Sequence, residues 1–593
     1  MLDAGWMLLL VLASCLRVSA AHVGDFSPGY DYSVSLDARH HIYLHWSVNY
    51  SNDTVLMKIV TRTNNIAGLG IGFSDYGAIT NADFAVFWTD FAGTHHFQDA
   101  WSTNDGILHI DRSQDVVLTH ARSTQDLTVL QYWRKFITCD DDDYQLDNGT
   151  THLVYFLLDD VQQSPNVASA SGINVSTIHH GFQRVQLLKP DIPALELPPD
   201  TWTFSILAPE VHVPAAETTY WWYTTRLPPL HHKHHIIQYE GVIDSGSEDV
   251  VHHIEVFQCV GVTDVMPFYS GPGQAENKPP TLSKCRNVIG AWAMGAGPIV
   301  YPEEAGSPIG GVDSTPYVLL EVHYNNPELI QGIVDSSGIR FHVTRQLRQH
   351  DSGIMELGLE YTDKMALPPG LPAVALTGYC VHTCTQVGIP SGGIHIFASQ
   401  LHTHLTGKKV YTRHIREDRE LQELNRDDHY SPHFQEIRRL PVPITILPGD
   451  ALVTTCEYST VSREKVTVGG LAITDEMCVN YVHYYPRVDL EVCKSSVDTS
   501  TLQSFFKFMN KMELQPTSPL KTSRNNYRMI DWNPLNINLL EYLYGTSSLS
   551  VQCNRSDGQR FWGNWNGVPP PGASNALPYQ GSICKASDTS PLF

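Results

Sequence analysis

The sequence predicts an all-β protein made of several sandwich domains. Three observations carry this. Short runs with an apolar residue at every second position recur from residue 22 to about residue 500, the period of a strand with one face buried. Loops rich in Pro and Gly separate these runs, and few helices are expected anywhere in the chain. At 593 residues the chain is too long for one hydrophobic core, so about two to four domains are expected.

Residues 22–190 read as the first unit. Its stretch from His41 to Val48 places Ile42, Leu44, Trp46 and Val48 on one face of a half-buried strand. Gly68, Gly70 and Gly72 permit close backbone approach or a bulge. No helix follows them, so they are not a nucleotide-binding fingerprint. Asp140–Asp143 is an acidic run expected in a solvated loop, and residues 189–199 are a Pro-rich linker. Residues 200–345 form a second unit, whose clearest strands are 201–206, 252–258 and 317–324, and residues 350–505 form a strand-rich third. Residues 506–593 are less periodic and are expected to be an irregular tail.

Composition excludes some functions. Hydrophobic content of 42% with 17% charged residues describes a globular chain. A formal net charge of −23 excludes a nucleic-acid partner, since phosphate contacts need a basic surface. Residues 1–20 read as a signal peptide, an apolar run from Trp6 to Leu16 followed by Val18-Ser19-Ala20. Asp3 and the lack of Lys or Arg before the run weaken it, so membrane attachment is expected only if this segment is retained. Without Cys15, ten of the 11 cysteines remain, an even number suited to disulfides in an oxidising compartment. A structural zinc site is disfavoured, because Cys380 and Cys384 are the only close pair. Glycosylation sequons at Asn49, Asn52, Asn148, Asn174 and Asn554 agree with the secretory pathway, in a vesicle lumen or outside the cell.

The chemistry begins at His402 and His404. On an extended strand, residues two apart point to one face, so the two imidazoles reach for one metal ion. Met477 is a possible third ligand, and a thioether suits Cu(I) far better than zinc, calcium or magnesium. Two His and a Met therefore point to redox copper. Spacing alone does not select Met477 from 11 methionines, nor a second site from the His-His pairs among 29 histidines.

Longer strings decide the matter. They are Val251–Cys259 (VHHIEVFQC), Tyr301–Gly306 (YPEEAG), Glu321–Tyr324 (EVHY), His395–Gly407 (HIFASQLHTHLTG), His429–Ile437 (HYSPHFQEI) and Met477–Pro486 (MCVNYVHYYP). In this order they closely resemble the copper type II, ascorbate-dependent monooxygenases. Asn81–Asp90 (NADFAVFWTD) resembles a DOMON domain, so the resemblance covers nearly the whole mature chain. It implies a DOMON β-sandwich followed by two jelly-roll-like copper domains. It implies one copper at His252, His253 and His323, which stores an electron, and another at His402, His404 and Met477, which binds O₂. Ascorbate is the implied electron donor. Neighbours on a flat strand point to opposite faces, so His252 and His253 can share a metal only across a bulge or twist. His231, His232, His234 and His235 receive no ligand role and are read as loop or packing residues. Tyr481 is a candidate cleft residue, with core packing as the alternative.

The resemblance also bears on substrate. Peptide-amidating relatives carry an Arg and an Asn that bind a carboxylate, where this chain has Gln400 and Val479. A phenylethylamine hydroxylated at its β-carbon, dopamine or tyramine, is therefore expected, with Glu255 and Glu356 as acids near the motifs. Two alternatives stay open: a monooxygenase of this fold acting on another compound, and an inactive secreted binding protein. The family pattern implies disulfides Cys139–Cys584, Cys259–Cys285, Cys380–Cys493, Cys384–Cys553 and Cys456–Cys478. Vertebrate members carry a further cysteine pair where this chain has Trp222 and Gly273, and an intersubunit pair near residues 512–518, which lack cysteine here. Any homodimer is expected to be noncovalent.

Overall fold

The computed structural model describes residues 29–584, apart from 38, 40, 63–65, 91, 125, 159–168, 194, 249, 262–264, 295, 313, 327, 576 and 578–583. Residues 1–20, read as a signal peptide, and Cys15 among them lie outside the described residues. The chain divides into two compact units. One contains residues up to 71, 83–142 and 155–181, and the other contains 72–82, 143–154 and everything from 182.

In the first unit, an antiparallel sheet joins Tyr32–Ser35, Ile42–Asn49, Thr54–Thr61, Thr128–Lys135 and Val117–Ser123 in that spatial order. Ile42, Leu44 and Trp46 are buried, as their alternation predicts, but His45 is buried as well, so this strand is covered on both faces along part of its length. The glycines mark close approach: a Cβ on Gly68 would lie 2.4 Å from the Phe87 carbonyl, and one on Gly70 would strike the Phe156 ring. Asp141 and Asp142 are exposed in a loop.

The second unit holds two sandwiches. The first pairs a sheet ordered Trp202–Leu207, Gly338–Thr344, Lys233–Val242, Ala305–Gly310 and His350–Asp351 with a second sheet. That second sheet runs Ser270–Pro272, Thr218–Arg226, Tyr317–Asn325, Val251–Cys259 and Cys285–Ala293. In the other sandwich, a seven-stranded sheet runs Arg438–Ile446, Ile394–His402, Val479–Tyr485, Gly353–Leu359, Leu490–Val497, Leu549–Arg555 and Asn566–Val568. It faces a sheet of Val374–Cys380, Ala451–Tyr458, Gly407–Arg416 and Arg419–Glu420. One buried cluster runs through both sandwiches, with Tyr301 and Phe341 on one side and Phe397, Ala398 and Tyr485 on the other. The linker at 189–199 has no strand or helix among its described residues.

The tail is more regular than its sequence suggested. Helix Thr499–Lys511 buries Leu502, Phe505, Phe506 and Met509 and is capped by Asp498, whose side chain accepts from Ser500 and Thr501. Pro534–Thr546 forms another helix, capped by Asn533 with Pro534 in its first turn. Leu549–Arg555 then joins the seven-stranded sheet beside Leu490–Val497. Disulfides fix this return: Cys384–Cys553 spans 169 residues and Cys380–Cys493 spans 113. Cys259–Cys285 and Cys456–Cys478 close shorter loops, and Cys139 and Cys584 are also disulfide-bonded. Trp222 packs over Gly273, where a Cβ would meet its indole nitrogen at 2.6 Å.

All ten cysteines after residue 20 are disulfide-bonded. The protein is therefore expected to migrate at single-chain mass in non-reducing denaturing electrophoresis, and a double-mass band that collapses on reduction would contradict this.

His483 gives a pH prediction. It is 3% exposed, and burial pushes its imidazole down to about 4. An unfolded chain takes up that proton near pH 6.5, whereas the folded chain refuses it until about pH 4. Its contribution to stability is therefore complete above about pH 6.5 and declines as pH falls toward 4. Thermal unfolding between pH 7 and 4.5 should show a shallower acid loss in His483→Leu than in the unaltered protein.

Candidate metal centres

The first centre is built at a bulge. Val251 pairs with Tyr324 and His253 with His323, so His252 is the extra residue on its strand. This is the distortion that lets two adjacent histidines face one point. The Nδ1 atoms of His252 and His323 each lie 3.2 Å from Nδ1 of His253. Tyr220 stacks on the His323 ring with centroids 4.4 Å apart and fixes its plane. Burial pushes His252 down to about 4 and His323 to about 3, and holds His253 well below the usual range. Neutral imidazoles with convergent ring nitrogens are the donor set a metal needs. Nitrogens each about 2.0 Å from one ion lie within about 4 Å of each other, so this triad fits a shared copper.

The second centre forms where a strand ends. His402 is the last residue of Ile394–His402, and His404 lies just past it. Their rings are 5.5 Å apart and nearly perpendicular. His402 is also pushed down to about 4 by burial. Its Nδ1 contacts Gln435 Oε1 at 2.6 Å, and His404 Nδ1 contacts the Asp475 carbonyl at 3.0 Å. Both contacts make Nδ1 the protonated nitrogen and leave Nε2 free as a donor to metal.

Met477 precedes the strand Val479–Tyr485 and is 6% exposed. Glu476, wholly buried, joins it to the histidines. Its carboxylate accepts from the backbone N–H groups of His404 at 2.9 Å, Thr406 at 2.7 Å and Met477 at 3.2 Å, and from the Thr406 hydroxyl at 2.7 Å. Two His and a Met on one buried scaffold suit copper.

Tyr481 lies on the strand beside Gln400 and Glu356, its ring 6.1 Å from His402. Its hydroxyl is 3.3 Å from that of Tyr361, which donates to Glu356 at 2.9 Å. Lys494 donates to the same Glu356 oxygen at 2.5 Å. Glu255 lies close to Glu321, which accepts from the Trp222 indole N–H. Burial, then Glu321, pushes the Glu255 carboxyl up to about 8. No hydrogen bond or ion pair to Glu255 is present among the described residues. His234 and His235 are buried, His235 against Asp351 at 2.8 Å, while His231 and His232 line a groove of about 980 Å³, so none of the four joins either centre.

Gln435, Glu476, Asp475 and His433 were missed from the sequence. Gln435 and His433 lie inside the string 429–437, and Glu476 precedes Met477, but only their contacts reveal what they do.

Comparison with known families agrees with this geometry. Residues 204–331 match the copper type II ascorbate-dependent monooxygenase N-terminal domain, and residues 350–506 match its C-terminal domain. Residues 38–157 match the DOMON domain. The chain belongs to the copper type II ascorbate-dependent monooxygenases, enzymes that use two copper ions and ascorbate as electron donor. It is 46% identical to dopamine beta-hydroxylase of Bos taurus over 98% of this chain and 93% of that one. It is 37% identical to tyramine beta-hydroxylase of Caenorhabditis briggsae over 87% and 86%. With DBH-like monooxygenase protein 1 of Homo sapiens the identity is 33%, over 83% and 78%.

Proposed function

We propose that this enzyme hydroxylates the β-carbon of a phenylethylamine, dopamine or tyramine. The observation that carries this is a set of acids and aromatics near the two centres: Tyr481 and its strand neighbour Glu356 beside His402, and Glu255 close to His253. Glu356 is taken by Lys494 and Tyr361, whereas the Glu255 carboxyl, within 4.8 Å of His253 and Glu321, has no hydrogen bond or ion pair among the described residues. An ammonium placed there would favour the ionised carboxylate that burial and Glu321 otherwise suppress, and would meet the face of a tyrosine ring. Gln400, bonded to the Gln435 carbonyl at 2.8 Å, offers no cation for a carboxylate. The names of the bovine and nematode relatives support the same class.

In this reading His252, His253 and His323 hold the copper that stores an electron, and His402, His404 and Met477 hold the copper where O₂ reacts. Copper supplies the redox chemistry. One oxygen atom enters the C–H bond, and the other leaves as water with two electrons and two protons. Gln435 and the Asp475 carbonyl orient the imidazoles, Glu476 fixes the loop that carries Met477, and Tyr481 walls the cleft. Ten disulfide-bonded cysteines support folding in the secretory pathway. The domain bounds 22–190, 200–345 and 350–505 and the five glycosylated asparagines are kept as part of this proposal.

The amine assignment is tested with the free amine, its N-acetyl derivative and 3-phenylpropionate. The free amine should turn over, and Glu255→Gln should raise its KM more than it lowers kcat. Equal turnover of the N-acetyl compound would remove Glu255 from substrate recognition.

A further inference from the structure

The loop Pro432–Gln435 touches both metal centres. The His433 ring stands perpendicular to His252, centroids 5.9 Å apart, and Gln435 Oε1 lies 2.6 Å from His402 Nδ1. The intervening Phe434 is buried. The loop is also tied to the second centre by its own hydrogen bonds. Gln400 donates to the Gln435 carbonyl at 2.8 Å, and Gln435 Nε2 donates to the Pro432 carbonyl at 2.6 Å. Tyr430, just before the loop, accepts from the Thr403 N–H at 2.9 Å. His433 itself is exposed and fills no core, so packing does not account for its position.

We propose that His433 and Gln435 form the electron route between the two coppers. The proposal rests on the copper assignment above. The electron crosses one through-space gap, from the His252 ring to the His433 ring. It then follows covalent bonds through the backbone to the Gln435 side chain and one short hydrogen bond to His402. With copper bound at both sites, this route would carry the one electron that the first site supplies to the reaction at the second. Ascorbate returns it in the next cycle. His433 is thus a positioning residue for electron transfer and touches no substrate. A competing path runs directly between His253 and His402, which lie within electrostatic range of each other.

The test uses full-length protein loaded with copper, reduced by ascorbate, freed of excess ascorbate and mixed with O₂ and tyramine. Copper oxidation is followed by freeze-quench electron paramagnetic resonance alongside product. His433→Ala and His433→Gln should keep two coppers per chain and normal reduction by ascorbate. Reoxidation of the first copper should slow on the order of 10²-fold, the scale on which small misplacement of reacting groups acts. Reoxidation at the unaltered rate would overturn the proposal in favour of the direct path. Loss of one copper would overturn it too, by making His433 a ligand. If the unaltered protein binds two coppers but is not reoxidised by O₂ and amine, the functional reading fails together with the route.

Discussion

Met477→Ile is expected to abolish hydroxylation while the first copper site stays filled. Met477 belongs to the second centre alone. It lies in the other sandwich from the bulge at His252, and its backbone is held by Glu476 and by the Tyr458 hydroxyl, which donates to the Met477 carbonyl at 2.8 Å. Isoleucine keeps the apolar volume, so the fold should tolerate it. What goes is the one soft ligand. Activity should fall by more than the roughly 10–100-fold that follows loss of an outer-shell partner. Copper content per chain, measured with activity, should drop toward one. Normal turnover in this variant would take Met477 out of the site.

Glu476→Ala should be nearly as damaging, by a different path. Four donors converge on its carboxylate, three of them backbone N–H groups that cannot turn away. Each buried donor left unpaired costs about 1–3 kcal/mol, so several kcal/mol of stability should be lost. The loop bearing His404 and the one bearing Met477 would no longer be held together. Copper at the second site should weaken while the first triad is spared, because no residue of that triad contacts Glu476 among the described residues. Calorimetry and copper titration read the two effects separately. Unchanged stability would show that the clamp is not what joins these loops.

Much of the site was legible because strand geometry is simple. His402 and His404 sit two apart, and the strand ends at His402 with His404 just past it. The need for a distortion at His252 followed from two adjacent histidines required on one ion, and the bulge lies there. The partners that orient the ligands were not legible. Gln435 meets His402 from 33 positions away and Glu476 meets His404 from 72, and periodicity carries no information about such contacts. Tail helix Thr499–Lys511 had a readable signal, Asp498 before Leu502, Phe505, Phe506 and Met509. Its neighbours are strands, and the prevailing all-β pattern masked it. Trp222 over Gly273 was not legible either: the glycine leaves room for the large side chain, which only the packing shows.

The most direct test of the account is a product assay on the secreted protein carrying two coppers per chain, given O₂, ascorbate and a panel of amines. The account predicts ascorbate-dependent O₂ uptake matched one to one by a product hydroxylated at the β-carbon of dopamine or tyramine. Two bound coppers with no ascorbate-dependent O₂ uptake on any phenylethylamine would contradict it.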